Sequence, residues 1–168
     1  MNWIAPTALF LEILLLLYVA VIDIATRLIY NEICLALALL GIASRFASQA
    51  HITESLAAAT ILFLLLIVVY QRGWIGGGDV KLLVALAIGL PLMGVIQLLT
   101  ITALAGAVLA LVHLMMRLLP YPRPAPAGSS LLRRVYAVER WRNLRHAPLP
   151  YGAAIACGGI CTVLSQGL

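Results

Sequence analysis

The amino-acid sequence predicts an all-α, polytopic membrane protein with six transmembrane helices and with the N and C termini outside. The whole chain, residues 1–168, is expected to form a single membrane domain. Of its residues, 64% are hydrophobic and only 10% are charged, and the mean hydropathy is +1.08. A soluble domain carries about 25% charged residues. So much apolar surface does not fit inside one core of this size, so the composition indicates lipid as the solvent.

Six apolar segments define the expected helices. The second and fourth are shorter than the roughly 20 residues that cross a typical bilayer as a helix. The fourth and fifth together are too long for one helix, and Gly89, Pro91 and Gly94 favour a break between them. The fourth span is therefore either short or continues past Pro91 with a kink. The six segments cover approximately residues 4–22, 33–46, 55–70, 80–90, 92–116 and 151–166.

Basic residues predict the orientation of these helices. With the N terminus outside, 10 of the 11 Lys and Arg residues lie in inside connections, and only Arg45 lies outside. Such an excess of positive charge on the inside is the usual bias of membrane proteins. It also explains the net charge of +5 without nucleic-acid binding. The inside residues are Arg27, Arg72, Lys81, Arg117, Arg123, Arg133, Arg134, Arg140, Arg142 and Arg145.

The last inside connection, at about 117–150, is a basic cytoplasmic loop. It opens with a proline-rich linker, and a helix over 131–145 is expected to follow, with Ser129 or Ser130 as its N-cap. One side of this helix is partly apolar and carries Trp141. We interpret it as an interfacial helix held by anionic lipid, with nucleic-acid binding or docking of a partner as the alternatives.

The chain contains only two aspartates, Asp23 and Asp79. In the predicted topology, Asp23 ends the first span and Asp79 begins the fourth, so both lie at the inside end of a helix. A charged side chain costs about 2.5–3.5 kcal/mol at the centre of a bilayer, and less near its surface. Two remote aspartates at one membrane depth therefore indicate a shared site.

Two carboxyl groups that face each other need not both ionise. Like charges close together raise one pKa strongly, so the pair can hold one proton between them. The ionised carboxylate can then activate water, while the protonated one polarises a peptide carbonyl. This chemistry needs no metal and no cofactor. The structural alternatives are that Asp79 is a helix N-cap and that Asp23 is an ion-pair partner of Arg27, four residues further on.

Gly76, Gly77 and Gly78 directly precede Asp79. Each glycine costs roughly 0.5–1 kcal/mol in regular structure. We therefore interpret the three as bare, adaptable backbone beside which an extended peptide can lie. A phosphate-binding loop is disfavoured, because the GxxxxGK[ST] pattern is absent and an acid would repel the phosphate.

Glu12 is a further acid inside the first span. It precedes Asp23 by eleven residues, close to three helical turns, so the two side chains share one face about 16 Å apart along the helix. That face is expected to point into the bundle. Glu12 is either a hydrogen-bonded structural acid or an intramembrane polar site that contacts water or substrate.

Three motifs carry a resemblance to a known family. They are DIATRLIYN at 23–31, GGGDVKLL at 76–83 and PYGAAIACGG at 150–159. They are similar to the first-aspartate motif, the GxGD motif and the late PYG segment of the type IV prepilin peptidases, which are membrane aspartic proteases. The chain most resembles the short Tad/Flp-type members. Tyr30 and Ala153 stand where prolines are common in that family.

The resemblance implies that Asp23 and Asp79 are the catalytic pair of an endopeptidase. Its substrates would be prepilins or pseudopilins with a short basic leader, cut after a glycine at the cytoplasmic face of the bacterial inner membrane. The implied partners are these substrates, the lipid bilayer and the pilus assembly machinery. No metal and no cofactor is implied, and the paired-CxxC region of the larger, methylating members is not matched.

Supporting roles are expected for other motif residues. Arg27 and Asn31 could brace the loop below the site. Lys81 could make a loop contact, orient the substrate or anchor its helix at the lipid headgroups. The segment of Pro150, Tyr151 and Gly152 is expected to shape the start of the last helix.

Two other classes of function compete with a peptidase. An ion-coupled transporter or channel subunit would place its acids at staggered depths, whereas two of the three acids here share one depth. A non-catalytic assembly subunit of a pilus or secretion system could retain the motifs without cleaving anything.

Overall fold

The protein is described by a computed structural model that covers residues 4–48, 51–118, 130–144 and 149–167. Within these ranges the regular structure is helical throughout and no strand occurs, which confirms the all-α prediction. The helices, in chain order, are α1 (Ile4–Thr26), α2 (Asn31–Ala47), α3 (Ile52–Gln71), α4 (Gly77–Ile88), α5 (Leu92–Leu118), α6 (Leu131–Leu144) and α7 (Tyr151–Gly167).

Three of these helices are long and apolar enough to cross a membrane. The spanning segments are Pro6–Thr26, Ile52–Gln71 and Leu92–Leu118, of 21, 20 and 27 residues. The segment Tyr151–Gln166 in α7 is apolar but shorter. Large apolar side chains such as Phe10 project from these helices without protein cover, as expected where lipid is the solvent. The chain is therefore a membrane protein, and the count of six spans stays a prediction.

The chain separates into two compact units. The first comprises residues 1–105 and 150–168, and the second comprises residues 106–149. In the first unit, α1 packs against α2 and α7, while α4 packs against α2, α3 and α7. Its core is built from the fully buried side chains of Leu16, Leu37, Leu82, Leu98 and Ile155.

Helix α4 is short and lies inside the first unit. It ends at Ile88, and Gly89 to Pro91 separate it from α5, so the fourth segment is short rather than kinked. Six of its twelve residues are buried, because neighbouring helices cover it on several sides. From Leu82 to Ile88 the helix is apolar all round, which suits such a position. A length of about 18 Å follows from its twelve residues.

Glycines allow α2 and the end of α4 to approach closely. A Cβ atom built on Gly41 would lie 2.7 Å from the Cα of Gly89, a distance that real Cβ contacts do not show. The backbones therefore meet with no side chain between them. Small residues at a helix interface are the usual way for membrane helices to gain this contact.

In the second unit, α6 confirms the helix expected after the proline-rich linker. The carbonyl of Ser130 accepts a hydrogen bond from the N–H of Arg134, at 3.1 Å. Glu139 is buried, and its carboxylate contacts Arg142 Nη1 at 3.1 Å and His113 Nε2 at 3.8 Å. The linker at 119–129, with Ser129, and the end of the expected helix at Arg145 lie outside the described residues.

We expect the substitution Gly41→Ala to destabilise the protein by about 1–3 kcal/mol, because the added methyl group overpacks the contact with Gly89. Thermal unfolding of the full chain in detergent measures the effect. The control is Leu39→Ala on the exposed face of the same helix, with a change within about 0.5 kcal/mol. Equal midpoints for Gly41→Ala and the natural protein would contradict the close approach.

Candidate active site

Asp23 lies in the last turn of α1 and is almost fully buried, with 5% of its surface exposed. The helix ends three residues later at Thr26, and Arg27 leaves it with a φ of 61°. The Asp23 carboxylate accepts a hydrogen bond from the backbone N–H of Ala153, at 3.1 Å. Ala153 belongs to the first turn of α7, where backbone N–H groups lack partners within their own helix.

The N terminus of α7 is therefore the immediate surroundings of the Asp23 carboxylate. The positive end of a helix dipole stabilises a negative charge at this position. Gly152 makes the approach possible, because a Cβ atom there would lie 2.9 Å from both Cγ and Oδ2 of Asp23. Pro150 precedes the helix, and its carbonyl accepts a second bond from the Ala153 N–H at 3.2 Å. Tyr151 packs against the core.

Asp79 lies in the first turn of α4, and the N-cap of this helix is Gly76. Asp79 is thus the third helical residue and not the N-cap itself, which corrects the structural alternative considered from the sequence. The Gly76 N–H donates a hydrogen bond back to the Asp79 carboxylate, as the acid of a capping box does. The carboxylate lies against Gly76, whose added Cβ atom would meet Asp79 Oδ2 at 3.0 Å.

The pKa of Asp79 is raised to about 6, chiefly by burial and also by the nearby Asp23 carboxylate, while the hydrogen bond with the Gly76 backbone acts in the opposite direction. The interaction of the two acids shows that the structure brings Asp23 and Asp79 together, as their common depth predicts. Asp23 lies at a helix N terminus, which favours negative charge. Asp79 keeps its proton to a higher pH than an ordinary aspartate does. Such a pair can supply a base and an acid to one reaction.

Ile29 connects the three sequence motifs. A Cβ atom on Gly78 would lie 3.2 Å from the Cβ of Ile29, and one on Gly152 would lie 3.1 Å from its Cδ1. The side chain therefore packs between the first turns of α4 and α7, beside Asp23. Sequence analysis missed both Ile29 and the Ala153 N–H as parts of the site. Neither carries a reactive group, and only the position of Ile29 within the first motif hinted at its role.

The three glycines lie in and next to the first turn of a helix, and not in the open, adaptable backbone that the sequence predicts. Gly76 is the N-cap of α4, and Gly77 and Gly78 are its first helical residues. None of them has a positive φ, which among the described glycines occurs only at Gly73. Asp79, Tyr70 and Ile29 lie against Gly76, Gly77 and Gly78, respectively. This packing, and not an open loop, accounts for the lack of side chains at the three positions.

Lys81 and Asn31 join α4 to the start of α2. The Lys81 Nζ donates a hydrogen bond to the Asn31 Oδ1 at 3.0 Å. Of the roles open from the sequence, the structure therefore contains the loop contact. Arg27 and Asn31 lie at the two ends of the connection between α1 and α2, and their bracing of this loop stays a prediction.

Glu12 lies on the buried face of α1, as its spacing from Asp23 predicts. Ala8, Glu12, Leu16, Val19 and Asp23 form one buried stripe along the helix. Glu12 is not brought to the aspartates, however. It lines a cavity toward the other end of the bundle, so the two ends of this stripe belong to different places in the fold.

The apolar helices of the first unit thus hold a pair of interacting carboxyl groups, Asp23 and Asp79, at one end. Residues 10–111, more than half of the chain, match the type IV leader peptidase family. The chain therefore belongs to this family, and it is a leader peptidase-type protease. The match includes both aspartates, whereas the α7 residues that surround Asp23 lie beyond it. Neither the curated proteins nor the solved structures contain a significant match.

A double-mutant cycle tests the contact of Lys81 with Asn31. We expect Lys81→Ala and Asn31→Ala to destabilise the protein individually, with a coupling of about 0.5–1 kcal/mol, because both remove the same exposed hydrogen bond. Thermal unfolding of the two single variants and the double variant measures the coupling. Strictly additive effects would show that the two side chains act independently.

Proposed function

We propose that this protein is an aspartic endopeptidase of the bacterial inner membrane that removes the leader peptide of type IV, Flp-type prepilins and pseudopilins. Asp23 and Asp79 are its catalytic pair. The observation that carries the proposal is the convergence of these two acids, the only aspartates in the chain, from α1 and α4. Family membership supports leader peptides as the class of substrate.

The surroundings of the two acids support a division of roles. Asp23, at the N terminus of α7, is the ionised partner, because the Ala153 N–H and the helix dipole stabilise its negative charge. Asp79 is the protonated partner, because burial and the Asp23 charge raise its pKa to about 6. Asp23 then acts as the general base and Asp79 as the general acid.

The reaction begins and ends with one proton on the aspartate pair. Asp23 takes a proton from a water molecule as the water oxygen bonds to the scissile carbonyl carbon. Asp79 gives its proton to the carbonyl oxygen, which forms a neutral gem-diol. When this intermediate collapses, Asp23 protonates the leaving amide nitrogen, the C–N bond breaks, and Asp79 recovers its proton from a hydroxyl group. Peptide and water thus become two chains, and both acids return to their starting states.

The proposed cleavage takes place at the cytoplasmic face. The charge distribution of the sequence supports this side, because the predicted topology assigns 10 of the 11 basic residues to inside connections. A substrate with an apolar stem in the same bilayer would bring its leader to that depth. The Tad/Flp-type motifs support a substrate that is part of a pilus, and the basic region of α6 is a possible contact for the assembly machinery or for anionic lipid.

Cleavage of a prepilin by aspartate variants tests the mechanism. In co-expression with a Flp-type prepilin, we expect Asp23→Asn and Asp79→Asn each to reduce leader removal at least about 100-fold, because each lacks one proton-transfer group. A gel shift of the pilin measures cleavage. Glu12→Gln, which alters a buried acid on the same face of α1, should slow cleavage without abolishing it. Normal processing by both aspartate variants would exclude the mechanism and favour a non-catalytic assembly subunit.

The pH dependence of cleavage tests the division of roles. Asp79 must be protonated to act as an acid, and its pKa is about 6. We therefore expect kcat/KM to fall as the pH rises through about 6, since kcat/KM reports the free enzyme. Initial rates with purified protein and a prepilin peptide in lipid nanodiscs measure the profile. A rate that rises through this range would mean that Asp79 is the base.

A further inference from the structure

A cavity of about 480 Å³ lies in the first unit, at the end of the bundle away from the aspartates. Glu12 at its wall is about 16 Å from Asp23 along α1. Pro6, Ser48 and Gln166 border it close to the ends of α1, α2 and α7. The cavity therefore reaches from the helix ends, where lipid headgroups lie, into the interior of the bundle.

Glu12 and Arg45 contribute an acidic and a basic side chain to this cavity. Glu12 has only 6% of its surface exposed, and among the described residues it forms no hydrogen bond or ion pair. Arg45 donates from Nη2 to the carbonyl of His51 at 3.1 Å, while its buried Nε has no partner in the same part of the chain. The two side chains line one cavity without pairing with each other.

An unpaired buried acid and an unsatisfied guanidinium nitrogen are both costly. A ligand that carries a positive and a negative group would pair with the Glu12 carboxylate and with the terminal nitrogens of the Arg45 guanidinium, whereas Arg45 Nε itself is enclosed by protein atoms. Ser44 adds a hydroxyl group beside Arg45, whereas the Ser48 hydroxyl donates to the carbonyls of Ser44 and Arg45 at 3.0 and 3.2 Å.

We propose that this cavity binds the zwitterionic headgroup of a phosphoethanolamine lipid. The ammonium group contacts the Glu12 carboxylate, and the phosphate contacts the guanidinium of Arg45 and the hydroxyl of Ser44. A membrane lipid is the source, because the rim of the cavity lies at the helix ends and Leu9 and Val163 in its wall are apolar. This role would also explain Arg45, the one basic residue that the orientation of the helices leaves on the outside.

Lipid retention by the intact protein tests this site. The full chain is purified in detergent, and native mass spectrometry measures retention of phosphatidylethanolamine against phosphatidylglycerol of the same acyl chains. We expect a preference for phosphatidylethanolamine of at least about tenfold. Glu12→Gln and Arg45→Gln should each weaken its retention about tenfold, the effect of one charge-assisted hydrogen bond.

Matched variants outside the cavity serve as controls. Glu32→Gln and Arg72→Gln remove exposed charges of the same types and should leave retention unchanged. A thermal scan without added lipid establishes that each variant is folded, and added phosphatidylethanolamine should raise the midpoint of the natural protein but not that of Glu12→Gln.

Three results would overturn the proposal. Equal retention of the two lipids, or retention by both cavity variants at the natural level, would exclude a site for this headgroup. Stabilisation by soluble phosphoethanolamine but not by the lipid would exclude the lipid as the ligand. None of these readouts depends on cleavage, so the outcome is separate from the test of the peptidase.

Discussion

The hydrogen bond between the Asp23 carboxylate and the first turn of α7 is the interaction on which the rest of the structure depends. It joins residues 130 positions apart and places a buried acid against a helix N terminus, one of the few environments in an apolar bundle that stabilises negative charge. The contact requires that α1 end just beyond Asp23 and that Gly152 have no side chain. Ile29 then fills the space between this junction and the start of α4.

The short helix α4 provides the second acid. Its N-terminal turn lies beside Asp23 and its C-terminal end reaches Gly41 of α2. Because neighbouring helices cover α4, its length is not set by the thickness of a bilayer. The hydrogen bond between Lys81 and Asn31 and the capping of Gly76 by Asp79 fix the N-terminal turn in place. The position of Asp79 therefore follows from local capping as much as from the packing of the core.

Polar groups occupy both ends of this otherwise apolar unit, and different surroundings stabilise them at the two ends. At one end the two aspartates interact, and backbone N–H groups of Ala153 and Gly76 stabilise their carboxylates. At the other end Glu12 and Arg45 line a cavity without pairing with each other. The stripe of buried residues on α1 connects the two ends, which explains why this helix carries acids on a single face.

The sequence by itself determined the helical class, the membrane environment and the two aspartates, because composition, apolar periodicity and the rarity of acids are properties of the chain alone. It also predicted that Glu12 shares a face with Asp23, since helical geometry fixes that relation. Tertiary structure decided what could not be read locally. The Ala153 N–H carries no side-chain signal, Ile29 resembles any other apolar residue, and the setting of the three glycines depends on which side chains lie against them. The length of α4 was open for the same reason, because only packing against α2, α3 and α7 allows a buried helix to end at Ile88.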